Sequence, residues 1–296
     1  MKTIGIVANL EKPNAISRAT QVAEIIRGEG GSVYYEEALA ALLGVDHPVF
    51  TLENIGSSIE ALVVLGGDGT IIRTFRGLSR KETPLLGINL GGLGFLTEVR
   101  LDRLKEALVD LIGGRLRIKK RSTLDGYWRE GGGEDNTFTA LNDVVIGKGG
   151  LARVLQMEAS VNDEYLTSYM ADGLIIATPT GSTAYSLSAQ GPIISPETDA
   201  FLLNPICPHT LTNRPIILGG DRTLRIKMLA IPDGTFVTID GQMGFSLKEE
   251  DEIIVRKGRQ HLHLLTAPGI SFYGILRSKL NWGGRTHYQS VGGENN

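Results

Sequence analysis

The chain has 296 residues, 42% of them apolar, and a formal net charge of −3. That is enough for two packed domains or one large one, but it supplies no basic field for non-specific nucleic-acid binding. A single cysteine, Cys207, excludes an internal disulfide and fits a reducing compartment, and no apolar run approaches a membrane span in length. The apolar run in residues 1–8 is too short for a secretion signal. The expectation is a cytoplasmic protein with neither nucleic acid nor membrane as partner.

Residues 3–8 read as a short buried strand. Ala15, Ile16, Ala19, Val22, Ala23, Ile25 and Ile26 then recur at helical spacing, with Pro13 and Asn14 before them and Gly28, Gly30 and Gly31 after. A second strand is predicted over 33–35 and a loop over 44–48. Residues 61–65 are an unbroken apolar run, the pattern of a strand buried on both faces of a parallel sheet. The run enters Gly66-Gly67-Asp68-Gly69-Thr70, and a helical segment over 70–78 follows. Another strand, 84–88, runs into Asn89-Leu90-Gly91-Gly92-Leu93-Gly94-Phe95. Leu101, Leu104, Leu108, Leu111 and Ile112 mark an amphipathic helix. This alternation predicts an α/β N-terminal domain over 1–114 with a mostly parallel sheet. In such sheets ligands sit beyond the carboxyl ends of the strands, so both glycine motifs should face one crevice.

The character changes after Gly114. Residues 115–121 alternate basic and apolar, which reads as a strand with one solvated face rather than a nucleic-acid surface. Residues 130–136 read as a glycine-rich acidic loop. Asn162-Asp163, Asp233-Gly234 and Asp240-Gly241 are turn signals between short strands. A mainly β C-terminal domain is expected over 115–265, with the tail 266–296 regaining helical character and packing back on the first domain.

Two stretches carry chemistry. In residues 61–70, strand, glycine turn and helix start bring backbone N–H groups together where a phosphate could bind. Asp68 would repel that phosphate and makes sense only beside a nucleophile or a metal; the plain alternative is a tight turn with an acidic helix start. In Thr178-Pro179-Thr180-Gly181-Ser182-Thr183, four hydroxyls precede a helical segment over 184–189. One hydroxyl would cap a helix, so four suggest a site for phosphate, ribose or base edges. Asn142-Asp143 is a weaker signal, suited to a ribose diol and equally to a turn. His261 and His263 share a strand face, but two histidines do not make a metal site. Ser182 has no histidine base pattern beside it, which argues against covalent hydrolysis.

Gly66-Gly67-Asp68-Gly69-Thr70, Asn142-Asp143, Asp172-Gly173 and Thr178 to Ser188 together resemble the NAD kinase family of bacterial type. The first motif is shared with lipid kinases and phosphofructokinases; the long Thr-Pro-Thr-Gly-Ser-Thr-Ala-Tyr stretch is far more specific. Gly91 to Phe95, and Pro208 to Leu211 with Arg214-Pro215, extend the resemblance over about residues 3 to 280. It implies transfer of the ATP γ-phosphoryl group to the adenosine ribose 2′-hydroxyl of NAD, giving NADP. It implies ATP and NAD as small-molecule partners, a divalent cation, Mg²⁺ first among them, and a homodimer or homotetramer. Asp68 would accept the hydroxyl proton. Gly69 and Arg73 would lie along the phosphate path, Phe95 would line the adenine side, and Asn142 and Asp143 would hold ribose hydroxyls. Arg153, Asp172, Thr183, Ala184, Tyr185, Ser186, Leu187, Ser188 and Gln242 would complete the NAD site. Met170, Gln190 and Gly92 depart from the family pattern. The alternatives are a lipid or sugar-phosphate kinase on the same scaffold, or a non-catalytic NAD(P)-binding sensor.

Overall fold

The computed structural model describes residues 1–46, 48–129, 135–149 and 154–282. Chain order begins β1 (Thr3–Ala8), α1 (Ala15–Gly28), β2 (Ser32–Glu36), α2 (Glu37–Leu43), β3 (Val49–Phe50), β4 (Ala61–Gly66), α3 (Asp68–Gly77), β5 (Leu85–Asn89) and α4 (Leu104–Ile112). It continues β6 (Arg117–Arg129), β7 (Asp135–Ala140), β8 (Asp143–Gly147), β9 (Leu155–Val161), β10 (Glu164–Ala171), β11 (Gly173–Ala177) and the four-residue α5 (Tyr185–Ser188). Strands β12 (Ala200–Ile206), β13 (Ile216–Gly219), β14 (Thr223–Ala230), β15 (Phe236–Ile239), β16 (Met243–Ser246) and β17 (Glu252–Thr266) follow, and α6 (Phe272–Lys279) is the last element among the described residues.

The first part is α/β, as expected. Its strands run in the order β5-β4-β1-β2-β3, all parallel. Every residue of β4 and β5 is buried, which explains their unbroken apolar runs. One face packs on α1 and α4 through Ile4, Ile6, Val22, Ile26, Leu104 and Leu108. The other face packs Leu62 and Val64 on Ile71, Ile72 and Phe75 of α3. The strand order reverses between β1 and β4, since β2 extends the sheet on one side and β5 on the other. That reversal is where open α/β sheets bind ligands. The helix α2 and strand β3 were not predicted; both are short, and α2 buries only Leu39 and Ala40.

The second part is rich in antiparallel strands. A six-stranded sheet, β13-β12-β11-β8-β15-β16, packs on β9, β14 and β17 through Val144, Ile146, Leu174, Ile176, Met157, Ile226 and Val255. The predicted turns lie where their residues suggested: Asn162 and Asp163 join β9 to β10 with φ of 50° and 65°, and Asp240 and Gly241 join β15 to β16 with φ of 52° and 63°. These are paired left-handed residues of a tight hairpin.

Two features depart from the sequence expectation. The parallel sheet does not end with the first part, because β17 pairs in parallel with β5 at Leu264 and Leu85, so one sheet runs through both parts. Arg121 is also not on a solvated face. Its side chain is 2% exposed and lies 3.7 Å from Glu98, which is buried as well. The tail helix α6 buries Ile275 and Leu276 and sets Phe272 against Phe95, with ring centroids 6.1 Å apart.

Candidate active site

The site is built on the end of β4. Gly67 precedes α3 in extended conformation, and its N–H donates to the Thr70 hydroxyl at 3.3 Å, satisfying one free donor of the helix start. The ends of the neighbouring strands are tied to this one. Asn9 N–H donates to the Leu65 carbonyl at 2.8 Å, and Leu90 N–H to the Gly66 carbonyl at 3.1 Å. The turn therefore lies at the reversal point of the sheet.

Asp68 opens α3 and turns its carboxylate onto the loop after β5. Oδ2 accepts from Phe95 N–H at 2.8 Å; Oδ1 accepts from the N–H groups of Leu96 and Thr97 and from the Thr97 hydroxyl, each at 3.0 Å. The Thr97 hydroxyl in turn accepts from Asn89 Nδ2 at 2.7 Å. Both glycine motifs thus meet at one carboxylate. Oδ2 carries a single bond, so it has a lone pair to spare, whereas Oδ1 is saturated. Gly94 is part of this cradle, because a Cβ there would collide with Asp68 Oδ1 and Thr97 Oγ1. Gly94→Ala is expected to swing the carboxylate aside. Turnover should fall by about tenfold or more if proton transfer depends on its placement, with little change in far-UV circular dichroism; unchanged turnover would show the placement to be loose.

A cleft of about 570 Å³ opens beside Asp68, lined by Asn9, Lys12, Gly67, Gly69, Thr70, Arg73 and Gln242. Two cations against the single carboxylate of Glu11, with a helix start and bare backbone, suit a chain of phosphates. Gln242 reaches across from the β15–β16 turn, its Nε2 donating to the Gly69 carbonyl at 2.9 Å. Asn142 and Asp143 stand at the start of β8, held by Asp240. The Asp240 carboxylate accepts from the N–H groups of Leu141, Asn142 and Asp143 at 2.6–3.2 Å. Sequence reading saw Asp240 only as part of a turn; its distance of about a hundred residues from its partners hides the contact.

The Asp143 carboxyl is buried. Loss of hydration, then the nearby Asp240 charge, pushes its pKa up to about 7. Burial raises Asp240 as well, against the three N–H groups and Arg76 that favour its anion. Between pH 4 and 7 the folded chain holds a proton at Asp143 that the unfolded chain releases, so stability falls as pH rises across that window. Asp143→Asn should flatten this loss. At pH 8 it should be more stable than the parent by up to about 4 kcal/mol, from a shift of about three units, read as melting temperature against pH. Equal pH slopes for both proteins would refute the assignment.

The hydroxyl-rich loop commits three of its four hydroxyls to the fold. Thr178 Oγ1 donates to the Leu141 carbonyl at 2.7 Å, Ser182 Oγ to Pro179 at 2.6 Å, and Thr183 Oγ1 to Thr180 at 2.9 Å. The buried Ser186 hydroxyl is 3.1 Å from Asn204 Nδ2. Ser182 and Thr183 fold the loop on itself, and Thr178 ties it to Leu141 and, through its N–H, to the Asn142 carbonyl at 2.8 Å. Gly181 permits that approach, because a Cβ there would strike the Asn142 backbone. Tyr185, 49% exposed, and Ser188 face outward, while Ala184 and Leu187 are half-buried.

Phe95 lies against α6 with Lys279 over its ring at 5.2 Å. Asp172 stands apart. It pairs with Lys148 at 2.6 Å, at the end of β11 away from Asp143, since Gly173 aligns with Gly147 and Ala177 with Asp143. Arg153 lies outside the described residues. Gln190 has φ 63°, a left-handed conformation that suits glycine, and Met170 is 43% exposed on β10. Among the described residues no three His, Cys, Asp or Glu side chains converge as a metal site.

Residues 4–116 match the family model for the ATP-NAD kinase N-terminal domain, and 141–267 match that for the C-terminal domain. The chain belongs to the NAD kinase family. It is 43% identical over 287 residues to the NAD kinase of Geobacter metallireducens, spanning 96% of this chain and all of the relative. It is 41% identical over 285 residues to that of Geotalea daltonii, with the same coverage. Among solved structures it resembles a yeast NADH kinase complexed with NADH, with a TM-score of 0.88 and 25% identity over 97% of this chain and 90% of that one. An Archaeoglobus fulgidus NAD kinase in complex with ATP shares the fold, with a TM-score of 0.75 and 22% identity over 94% of this chain and 98% of that one. No helix among the described residues of this family member is long and apolar enough to cross a membrane.

Proposed function

We infer that this chain is a phosphotransferase that moves the ATP γ-phosphoryl group to the adenosine ribose 2′-hydroxyl of NAD, yielding NADP. The observation that carries the reading is the Asp68 carboxylate. It is clamped by four donors at the start of α3, beside a cleft bearing Lys12 and Arg73. Phosphoryl transfer asks a protein mainly for positioning and charge neutralisation. Lys12, Arg73 and the N–H groups of Asp68 and Gly69 at the start of α3 would hold the phosphates. Oδ2 of Asp68 would take the hydroxyl proton as the new O–P bond forms and the β–γ bridging bond breaks. Asn142 and Asp143 would orient a ribose, and an Asp143 poised near pH 7 can donate as well as accept. Tyr185 offers an exposed ring for a base, and Gln242 would link the NAD side of the site to Gly69.

Magnesium enters this scheme as the Mg–ATP substrate complex, the ion keeping several waters and leaning on the phosphates. The same reading has the protein working in the cytoplasm as a homo-oligomer. One observation bears on the assembly. Asp172 sits a strand length, about 16 Å, from the Asp143 end of β11, so it would serve a second subunit's NAD site more readily than the one at Asp143.

The test is NADP formation from NAD and Mg–ATP by the full chain, with inorganic polyphosphate as a second donor. Turnover with either donor supports the reading. NAD binding with no NADP from any donor would overturn it in favour of a non-catalytic sensor. The charged groups of the cleft, Glu11, Lys12 and Arg73, disfavour a lipid chain there.

A further inference from the structure

A second and larger cavity, about 630 Å³, lies between the far end of α3 and the β sheet of the second part. It contains none of the residues assigned above to phosphate or NAD. Arg76 and Lys81 line it from α3 and the loop after it; Arg256 and Arg259 line it from β17. Against these four cations stand two carboxylates, Asp125 and Asp240, and both are occupied. Asp125 accepts from the Thr139 hydroxyl at 2.9 Å and Arg259 N–H at 3.1 Å. Asp240 accepts from the three N–H groups of residues 141–143. Arg256 and Arg259 are exposed and form no ion pair among the described residues. Arg76 Nη1 is buried with no hydrogen-bond partner. Lys81 donates to the carbonyls of Phe75 and Arg76 at 2.6 and 2.7 Å, which pins its ammonium beside the Arg76 guanidinium. Burial and that neighbour both lower its pKa.

Gathering four cations in one concavity, with a guanidinium nitrogen dry and unpartnered, costs free energy unless an anion completes the set. We propose that this cavity is a second ligand site, taking a small multiply charged phosphate compound, and that it is coupled to the cleft at Asp68. The coupling path is short and physical. Arg76 follows Asp68 on the same helix, about two turns on. The β15–β16 turn forms a wall of both spaces, with Asp240 and Met243 in the cavity and Gln242 bonded to Gly69 in the cleft. A phosphate drawn to Arg76 competes with Asp240 for that charge and so acts on the support of Asn142 and Asp143.

Calorimetric titration of the full chain tests this with two probes, inorganic tripolyphosphate and ADP. Three proteins are compared: the parent, Arg256→Gln/Arg259→Gln, and the cleft variant Arg73→Gln. Two binding events are expected in the parent. The Arg256/Arg259 variant should weaken one of them directly, about tenfold per guanidinium removed, which is about 1.4 kcal/mol each, and Arg73→Gln the other; each loss should carry over to the second event by a smaller, reciprocal factor, and no carry-over would overturn the coupling. Equal loss with both probes assigns the site to the phosphate chain alone, and a larger loss with ADP adds the nucleoside. Parent-like stoichiometry and affinity for both probes in the Arg256/Arg259 variant would overturn the proposal. The two arginines are exposed, so their replacement leaves the fold intact, and because the readout is binding the outcome is independent of the kinase reading.

Discussion

Asp68→Asn is expected to lower kcat for NADP formation by about 10²–10⁴-fold, the range for losing a positioned general base, while NAD affinity changes little. The structure makes this substitution more informative than a simple removal of charge. The Asn carbonyl can keep the three donors now on Oδ1, from Leu96 N–H, Thr97 N–H and the Thr97 hydroxyl. Its amide nitrogen then replaces Oδ2 and faces Phe95 N–H, donor against donor. That mismatch should cost about 1–3 kcal/mol of stability. Loss of the base and loss of the strut are therefore separable. Thr97→Val removes one donor from Oδ1 and leaves the carboxylate charged; it should lower the melting temperature and cost kcat less than about tenfold if the base role dominates. If Asp68→Asn and Thr97→Val lose activity equally, Asp68 is a strut for the loop and the proton goes elsewhere. The measurements are initial rates, NAD affinity and thermal melts on the same preparations.

The elements that build the cleft were legible because their signals are local. The all-apolar run of residues 61–65 encodes a strand buried on both faces, and the glycines after it encode the sharp entry into α3. The apolar spacing of α1 and α4 and the hairpin residues Asn162-Asp163 and Asp240-Gly241 likewise act within a few positions. What sequence reading missed is held by contacts between distant residues. Arg121 alternates with its neighbours as a surface residue would, and only the packing of β6 beside β17 turns it inward onto Glu98. Asp240 looks like a turn residue, and its hold on residues 141–143 exists only because β15 pairs with β8. The hydroxyls of Thr178, Ser182 and Thr183 have the composition of a ligand site, yet their partners are carbonyls of the fold. A hydroxyl does not reveal from sequence whether its acceptor will be a ligand or the chain itself.

Arg121→Met should destabilise the chain by about 3–5 kcal/mol, the cost of leaving a buried charge without its partner. The pair is ionic rather than hydrogen-bonded at 3.7 Å, and Arg121 Nε and Nη1 and Glu98 Oε2 are buried without partners. Its attraction must offset the dehydration of both groups, so the pair adds little over an apolar pair of similar size. Arg121→Met/Glu98→Met is therefore expected to recover most of the loss, and the double-mutant cycle should give a coupling of several kcal/mol. The acid response has a definite sign. Burial raises the pKa of Glu98, and Arg121 is the largest influence opposing it. With Arg121 gone the folded chain holds a proton on Glu98 more firmly than the unfolded chain does. The single variant should thus regain stability as pH falls through the acid range and lose it as pH rises through the folded pKa of Glu98. Glu98 directly follows Thr97, whose N–H and hydroxyl hold Asp68, so a shift here reaches the Asp68 carboxylate in one residue. If the apolar double variant recovers stability but not kcat, the ion pair positions the Asp68 cradle; if it recovers both, the pair only fills space. Denaturation curves of the four proteins between pH 5 and 8, with kcat measured beside them, decide between the two.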